Sequence, residues 1–338
     1  MSKFQLTAMK PSKALYFFLG IAGIAALVTA TRLPFIPLAS EKLMAISTAN
    51  YAQQGLEKSH RGDYVGAIAD FDRALQQQPR SAPLHLQRGL AYSQLGDSQQ
   101  AIADFDQSLQ LDPNNSKTYY NRAIDYSQLG ETERAIADFS QAIKLDPNYA
   151  QAYINRGTLR FQLGNGRGAI ADFSEALRVD KNLLVAYYNR GLAYGQLGDN
   201  GAALEDFSRA LDLDPQFAEA YVNRGNVRLQ MGDNRGAIRD FTQALQLNSQ
   251  DAFALNNLGL AQMGAGDTEA ALGNFEKALA LSPDYAQAYF NQGLARYKLG
   301  NQTGANQSFQ TAAQLFEQQG MAEARAEVLA QVEAMAAR

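Results

Sequence analysis

Apolar and small residues return along this chain at two superposed periods. Within short stretches they fall three and four residues apart, the spacing that puts side chains on one face of an α-helix. Over longer distances the whole pattern recurs every 34 residues. Near-copies of one segment, Tyr119-Tyr120-Asn121-Arg122-Ala123, Tyr153-Ile154-Asn155-Arg156-Gly157, Tyr187-Tyr188-Asn189-Arg190-Gly191 and Tyr221-Val222-Asn223-Arg224-Gly225, mark that register. Counting from Thr48 gives eight consecutive units with no insertion: 48–81, 82–115, 116–149, 150–183, 184–217, 218–251, 252–285 and 286–319. Position 15 is always Gly, from Gly62 to Gly300, which stops one helix and opens a turn. Position 20 is always Ala and position 24 always Phe, a small notch and a large knob one turn apart, as close helix packing requires. Pro79, Pro113, Pro147, Pro215 and Pro283 end second helices. Each unit is therefore expected to be helix, turn, helix, break. The row reads as a solenoid whose units bury their apolar faces only against neighbours.

The pattern resembles the tetratricopeptide repeat over residues 48–319, which is 272 of the 338 residues. The unit 150–183 carries the resemblance with Tyr153, Gly157, Ala169, Phe173 and Ala176, and departs from it with Arg160 at position 11 and Lys181 at position 32, both expected at the rim of the packing. The resemblance implies an all-α, right-handed α-solenoid whose first helices line a concave groove, and a non-catalytic role in binding a protein or peptide segment.

One departure has a physical reading. Position 7, usually Leu in such repeats, is Arg in five units, although positions 4, 7, 8 and 11 form the stripe that faces the partner helix. A buried guanidinium needs an anion, and position 23 on the facing stripe is Asp in units one to six. Antiparallel pairing predicts the ion pairs Arg88 with Asp104, Arg122 with Asp138, Arg156 with Asp172, Arg190 with Asp206 and Arg224 with Asp240. Units seven and eight lose both partners, having Leu258 with Asn274 and Gln292 with Ser308.

Positions 2, 6, 9 and 13 of the first helix lie opposite that stripe and are expected to line the groove. Position 6 is Asn121, Asn155, Asn189, Asn223, Asn257 and Asn291 in six successive units, with Gln53 and Gln87 before them. Position 13 is Gln94, Gln128, Gln162, Gln196 and Gln230. A carboxamide offers a donor and an acceptor together, matching a peptide backbone. Tyr120, Tyr188, Phe290 and Tyr297 are expected to add apolar contacts to an extended partner segment. The row of asparagines is similar to the asparagine ladder in the superhelix of O-GlcNAc transferase, whose catalytic part has no counterpart here. The repeats that clamp acidic chaperone tails need Lys at position 5, which no unit has; Lys117 stands at position 2 and Asn121 at position 6.

Charge and chemistry narrow the function further. The chain carries a formal charge of -4, and because the first 40 residues hold four basic and no acidic side chains, the rest carries 26 Lys and Arg against 34 Asp and Glu, a net of -8. That sign disfavours nucleic acid as a partner. There is no Cys, which removes disulfides, thiol nucleophiles and thiolate metal sites. The two His, His60 and His85, read as packing residues, and Gly164-Asn165-Gly166-Arg167-Gly168 follows a helix and not a strand, so it fails the context of a phosphate loop. Asp104-Phe105-Asp106 lies on a helix and lacks the alternating ligands of a calcium loop. No nucleophile, base and orienting group come together, so no enzyme activity and no cofactor are expected.

Two flanking segments complete the chain. Lys3, Lys10 and Lys13 precede an uncharged run from Ala14 to Thr31, which as a helix would span roughly 27 Å against a hydrocarbon core of about 30 Å. Residues 1–31 read as an uncleaved signal-anchor tethering the repeats to a membrane, or as a cleaved signal peptide with Val28-Thr29-Ala30 at its end, or as a buried core helix. The first two place the repeats on the exported side. Residues 32–47 read as a linker and 320–338 as an amphipathic helix capping the array, with Met321, Val328, Leu329, Val332 and Met335 on one face. The functional expectation is an exported or tethered scaffold that assists complex assembly. Its alternatives are an adaptor that docks or self-associates by its edges, and an accessory substrate-binding module for a separate transferase.

Overall fold

The structure is a computed structural model that describes residues 46–336. The readings of residues 1–31 fall outside the described part. Among the described residues all regular structure is helical: α1 (Ile46–His60) and α2 (Tyr64–Gln77), α3 (Ala82–Leu95) and α4 (Ser98–Leu111), α5 (Ser116–Gln128) and α6 (Thr132–Leu145), α7 (Ala150–Gln162) and α8 (Gly166–Val179), α9 (Leu184–Gln196) and α10 (Asn200–Leu213), α11 (Ala218–Gln230) and α12 (Asn234–Leu247), α13 (Ala252–Ala265) and α14 (Thr268–Leu281), α15 (Ala286–Lys298) and α16 (Gln302–Gln318), and last α17 (Ala322–Ala336). The eight pairs coincide with the eight sequence units. α1 begins at Ile46, and the part of the expected linker 32–47 that precedes it falls outside the described residues.

The chain divides into two compact units between Ala193 and Tyr194, inside α9. In the first unit each helix from α1 to α8 packs on the next, and the successive first helices α1, α3 and α5 also touch. In the second unit the same order runs from α10 to α17, with α11, α13 and α15 in contact.

The repeat residues explain this packing. All eight position-15 glycines have positive φ, between 77° and 97°, so the first helix ends where the chain enters the left-handed region. The next residue then caps the second helix: Asp63, Asp97, Asn165, Asp199, Asp233, Asp267 and Asn301 each accept the backbone N–H three residues on, while Glu131 does not. Phe71, Phe105, Phe139, Phe173, Phe207, Phe241, Phe275 and Phe309 are buried, as are the Ala residues one turn before them. Position 8 shows how closely the helices approach. A Cβ on Gly157 would stand 2.9 Å from Phe173 Cε1, so the ring lies where a side chain would otherwise be.

The terminal helix differs from expectation in its contact face. α17 packs on α16 and buries Val328 completely, but Leu329 is 40% exposed. Met321 and Val332, expected on the same face, are half-buried.

Candidate functional site

The arginine and aspartate series builds a staple between repeats. Arg156 Nε and Nη2 donate to Asp172 Oδ2 and Oδ1 at 3.0 and 2.6 Å, and its Nη1 donates to Ser140 Oγ at 2.9 Å. Ser140 belongs to the preceding second helix, α6, so one planar fork ties two helices of adjacent repeats. Arg88 does the same with Asp104 and Asp72, Arg122 with Asp138 and Asp106, and Arg224 with Asp240 and Ser208. Arg190 donates to Ser174 Oγ at 3.0 Å; its expected partner Asp206 lies beyond the division of the chain, in α10. Neutral groups replace the pair in unit eight, where Ser308 Oγ donates to Gln292 Oε1 at 2.8 Å. In unit seven Asn274 Nδ2 donates instead to Gln262 at 2.7 Å.

Two parts of this staple escape the sequence reading. The position-25 acceptors Asp72, Asp106, Ser140, Ser174 and Ser208 stand in every repeat that precedes an arginine repeat, a co-occurrence that would have revealed them. Arg160, expected at the rim, donates to Asp172 Oδ2 at 2.8 Å, and Arg228 donates to Asp240 Oδ2 at 2.6 Å. Position 11 is thus a second cation on the same carboxylate.

Electrostatics follow from this geometry. The hydrogen bonds that Arg88 donates to Asp104 hold its guanidinium well above its usual range, against the opposing effect of burial. Burial pushes the Asp104 carboxyl up, but the hydrogen bonds from Arg88 and His85 outweigh it and leave it below the usual carboxylate range. His85 replaces the position-4 aromatic and joins Asp104 through Nδ1 at 3.0 Å and the Pro79 carbonyl through Nε2 at 3.1 Å. It is a packing residue that also serves the staple.

The expected groove residues need correction. Asn121, Asn155, Asn189, Asn257 and Asn291 are buried, and only Asn223 is half-exposed. Their amides are used inside the protein. Asn155 Nδ2 donates to Tyr120 Oη at 3.1 Å, Asn257 Nδ2 to Asn226 Oδ1 at 2.8 Å, and Asn291 Nδ2 to Asn256 Oδ1 at 2.8 Å, each reaching the previous repeat. Asn189 Nδ2 lies 3.5 Å from Thr158 Oγ1, while Asn121 and Asn223 donate to carbonyls one turn back. Tyr120 is fully buried, stacked on Tyr149 at 4.7 Å and edge-on to Phe139 at 5.6 Å; Tyr188 and Phe290 are buried as well. The reason is geometric. A first helix in the array is flanked by its own partner, by the preceding second helix and by neighbouring first helices, so its open arc is narrower than the wheel of an isolated hairpin suggests.

What remains open is the ends of that arc. At position 13, Gln94, Gln128, Gln196 and Gln230 are exposed and Gln162 is half-buried. At position 2, Lys117 and Glu219 are exposed, with Gln151, Val185, Phe253 and Gln287 half-buried. Next to the glutamines a row of apolar side chains stands in solvent at position 14: Leu95, Leu129 and Leu163 in the first unit, and Leu197, Met231 and Leu299 in the second. Among the described residues, no group of three or more His, Asp or Glu could hold a metal ion, and no helix is long and apolar enough to cross a membrane.

Comparison with known proteins agrees with this architecture. Family models described as tetratricopeptide repeat or TPR repeat match residues 82–115, 105–137, 125–164, 157–198, 185–217, 218–251 and 256–322. Among solved structures the chain is similar to YrrB, described as a TPR protein with an unusual peptide-binding site, at 26% identity and TM-score 0.51, over 54% of this chain and 95% of that one. It is similar in fold to a tetratricopeptide repeat protein from Parabacteroides merdae, at 22% identity and TM-score 0.53, over 74% and 99%. The C-terminal part of a TPR repeat-containing protein from Cytophaga hutchinsonii matches at 18% identity and TM-score 0.61, over 71% and 98%. No curated protein matches the chain. Repeat register, helix pairs and family models converge: the chain belongs to the tetratricopeptide-repeat family.

Proposed function

We propose that this protein is a non-catalytic scaffold that holds an extended segment of a protein partner along the open ends of its first helices. The observation that carries this reading is the position-13 carboxamide series of the first unit, with Gln94 and Gln128 exposed and Gln162 half-buried, where Gln128 Oε1 also accepts from Ser98 Oγ at 3.0 Å. Such a row offers donors and acceptors to a backbone without demanding particular side chains. The peptide-binding site described for YrrB supports the class of ligand. Replacing Gln94, Gln128 and Gln162 with Ala is expected to leave the helical content unchanged and to weaken capture of the partner at least tenfold. Undiminished capture by a folded triple variant would remove the proposal.

A second reading, docking by an edge, is favoured by the position-14 row of exposed Leu and Met. It predicts that Leu95→Gln, Leu129→Gln and Leu163→Gln together abolish association in light scattering while the glutamine variants leave it intact. Export or tethering rests on the sequence of residues 14–31 alone, and carbonate extraction of membranes from producing cells tests it.

A further inference from the structure

Both compact units contain a cleft at the same place in the repeat, between one second helix and the following helix pair, and the two floors differ in chemistry. In the first unit a cleft of about 540 Å³ has Arg122 as its floor, held between Asp106 and Asp138. In the second unit a cleft of about 560 Å³ lies between α12, α13 and α14, where Leu258 and Asn274 replace the arginine and aspartate. Leu245, Leu255, Ala280 and Leu281 give its walls their apolar area, beside the smaller polar share of Thr242, Gln246 and Ser249. The staple that spans the earlier repeats is thus missing here, and the cleft keeps its size while its floor loses both charges. The volume lies within the range of about 300–1,000 Å³ usual for ligand sites.

Charge selects the occupant. Lys277 is the one ionisable side chain lining this cleft, and it forms no ion pair among the described residues. An unpaired cation over apolar walls favours an apolar group with an anion directly beside it. We propose that this cleft is a second docking site, separate from the first-helix surface, and that it takes a large apolar side chain of a protein partner whose neighbouring residue is Asp or Glu, with Lys277 as counter-ion.

The site can be converted to the form the protein uses elsewhere. Leu258→Arg with Asn274→Asp rebuilds the arginine–aspartate floor, and Lys277→Glu reverses the rim charge on an exposed side chain. The full chain is titrated with 1-anilinonaphthalene-8-sulfonate, an apolar body bearing an anion, while hydrogen exchange is followed over residues 234–281. The proposal expects protection there in the parent protein and a loss of at least tenfold in affinity for the saturable component in both variants. It also expects that the peptide acetyl-Ser-Glu-Phe-Leu-Asp-Ser-amide displaces the probe, and that the same peptide with Ser for Phe and Leu does not. Equal binding by the parent and both variants would overturn it. Displacement by decanoate but not by the peptide would overturn the assignment to a protein partner in favour of a free acyl chain. Because the glutamine substitutions of the first-helix surface leave this cleft untouched, the two proposals fail separately.

Discussion

Removing the carboxylate of Asp172 tests the staple most sharply. Asp172 is 2% exposed and accepts from both Arg156 and Arg160, so Asp172→Asn leaves two guanidinium groups facing a neutral amide. Breaking a fully buried pair costs about 3–5 kcal/mol and an exposed one about 0–1. The side chains of Arg156 and Arg160 are 13% and 28% exposed, which places this site between those limits. We expect about 2–3 kcal/mol for Asp172→Asn after discounting for solvent screening. The protein itself supplies the control, since repeat seven already carries Leu258 and Asn274 at these positions. Arg156→Leu combined with Asp172→Asn should therefore destabilise no more than either change alone, a coupling of about 2–3 kcal/mol. Urea unfolding followed by far-ultraviolet circular dichroism gives the four stabilities. Hydrogen exchange over α7 and α8 locates the loss, because repeats in an array need not unfold together. Additivity within about 0.5 kcal/mol would refute the reasoning.

Other predictions use the same geometry. Asn155→Ala removes a buried donor to Tyr120 and should cost about 1–2 kcal/mol, whereas Asn223→Ala, half-exposed and bonded one turn back, should stay within about 0.5, both read from chemical denaturation. Gly157→Ala should cost about 1–3 kcal/mol by pressing on Phe173, and Gly164→Ala about 1–2 by forcing an L side chain to φ 78° in open space; thermal melts of the two should both fall. Tyr149 has a buried hydroxyl with no hydrogen-bond partner among the described residues, so Tyr149→Phe should be neutral or stabilise by up to about 1 kcal/mol in the same melts. The Asp104 carboxyl titrates below its unfolded value of about 3.9, so its contribution is complete above that pH and fades as pH falls toward the folded value. Asp104→Asn should accordingly lie a constant amount below the parent above about pH 5 and approach it as pH drops below about 4, checked by urea unfolding across that window.

The fold was legible in the sequence because a repeat states its packing eight times. Gly at position 15, Ala at 20 and Phe at 24 fixed helix ends and contacts, and Arg at position 7 with Asp at 23 disclosed the ion pairs now seen at Arg88, Arg122, Arg156 and Arg224. The surface was legible only in part. A helical wheel places Asn155 and Tyr120 on the open side of a single hairpin, but burial depends on the surrounding array: the preceding repeat supplies Tyr120, Thr158 or Asn226 as amide partner, and Tyr149, the last residue of its own unit, gives Tyr120 a stacking face. At the helix ends Gln94 and Gln128 are exposed, although the preceding repeat reaches Gln128, whose Oε1 accepts from Ser98 Oγ at 3.0 Å. The double role of Arg156 was hidden for a related reason, since its third partner, Ser140, belongs to the preceding repeat.

The scaffold reading meets its most direct test in site-specific photocrosslinking in producing cells. A benzophenone side chain is placed in turn at Gln94, Gln128 and Gln162, and at Glu175 on the exposed side of α8, and crosslinked peptides are sequenced by mass spectrometry. The account predicts that one partner segment is caught from the three glutamine positions, at residues that advance steadily along that segment, and is absent from Glu175. Capture from Glu175 alone, or three unrelated sets of peptides from the glutamine positions, would contradict it.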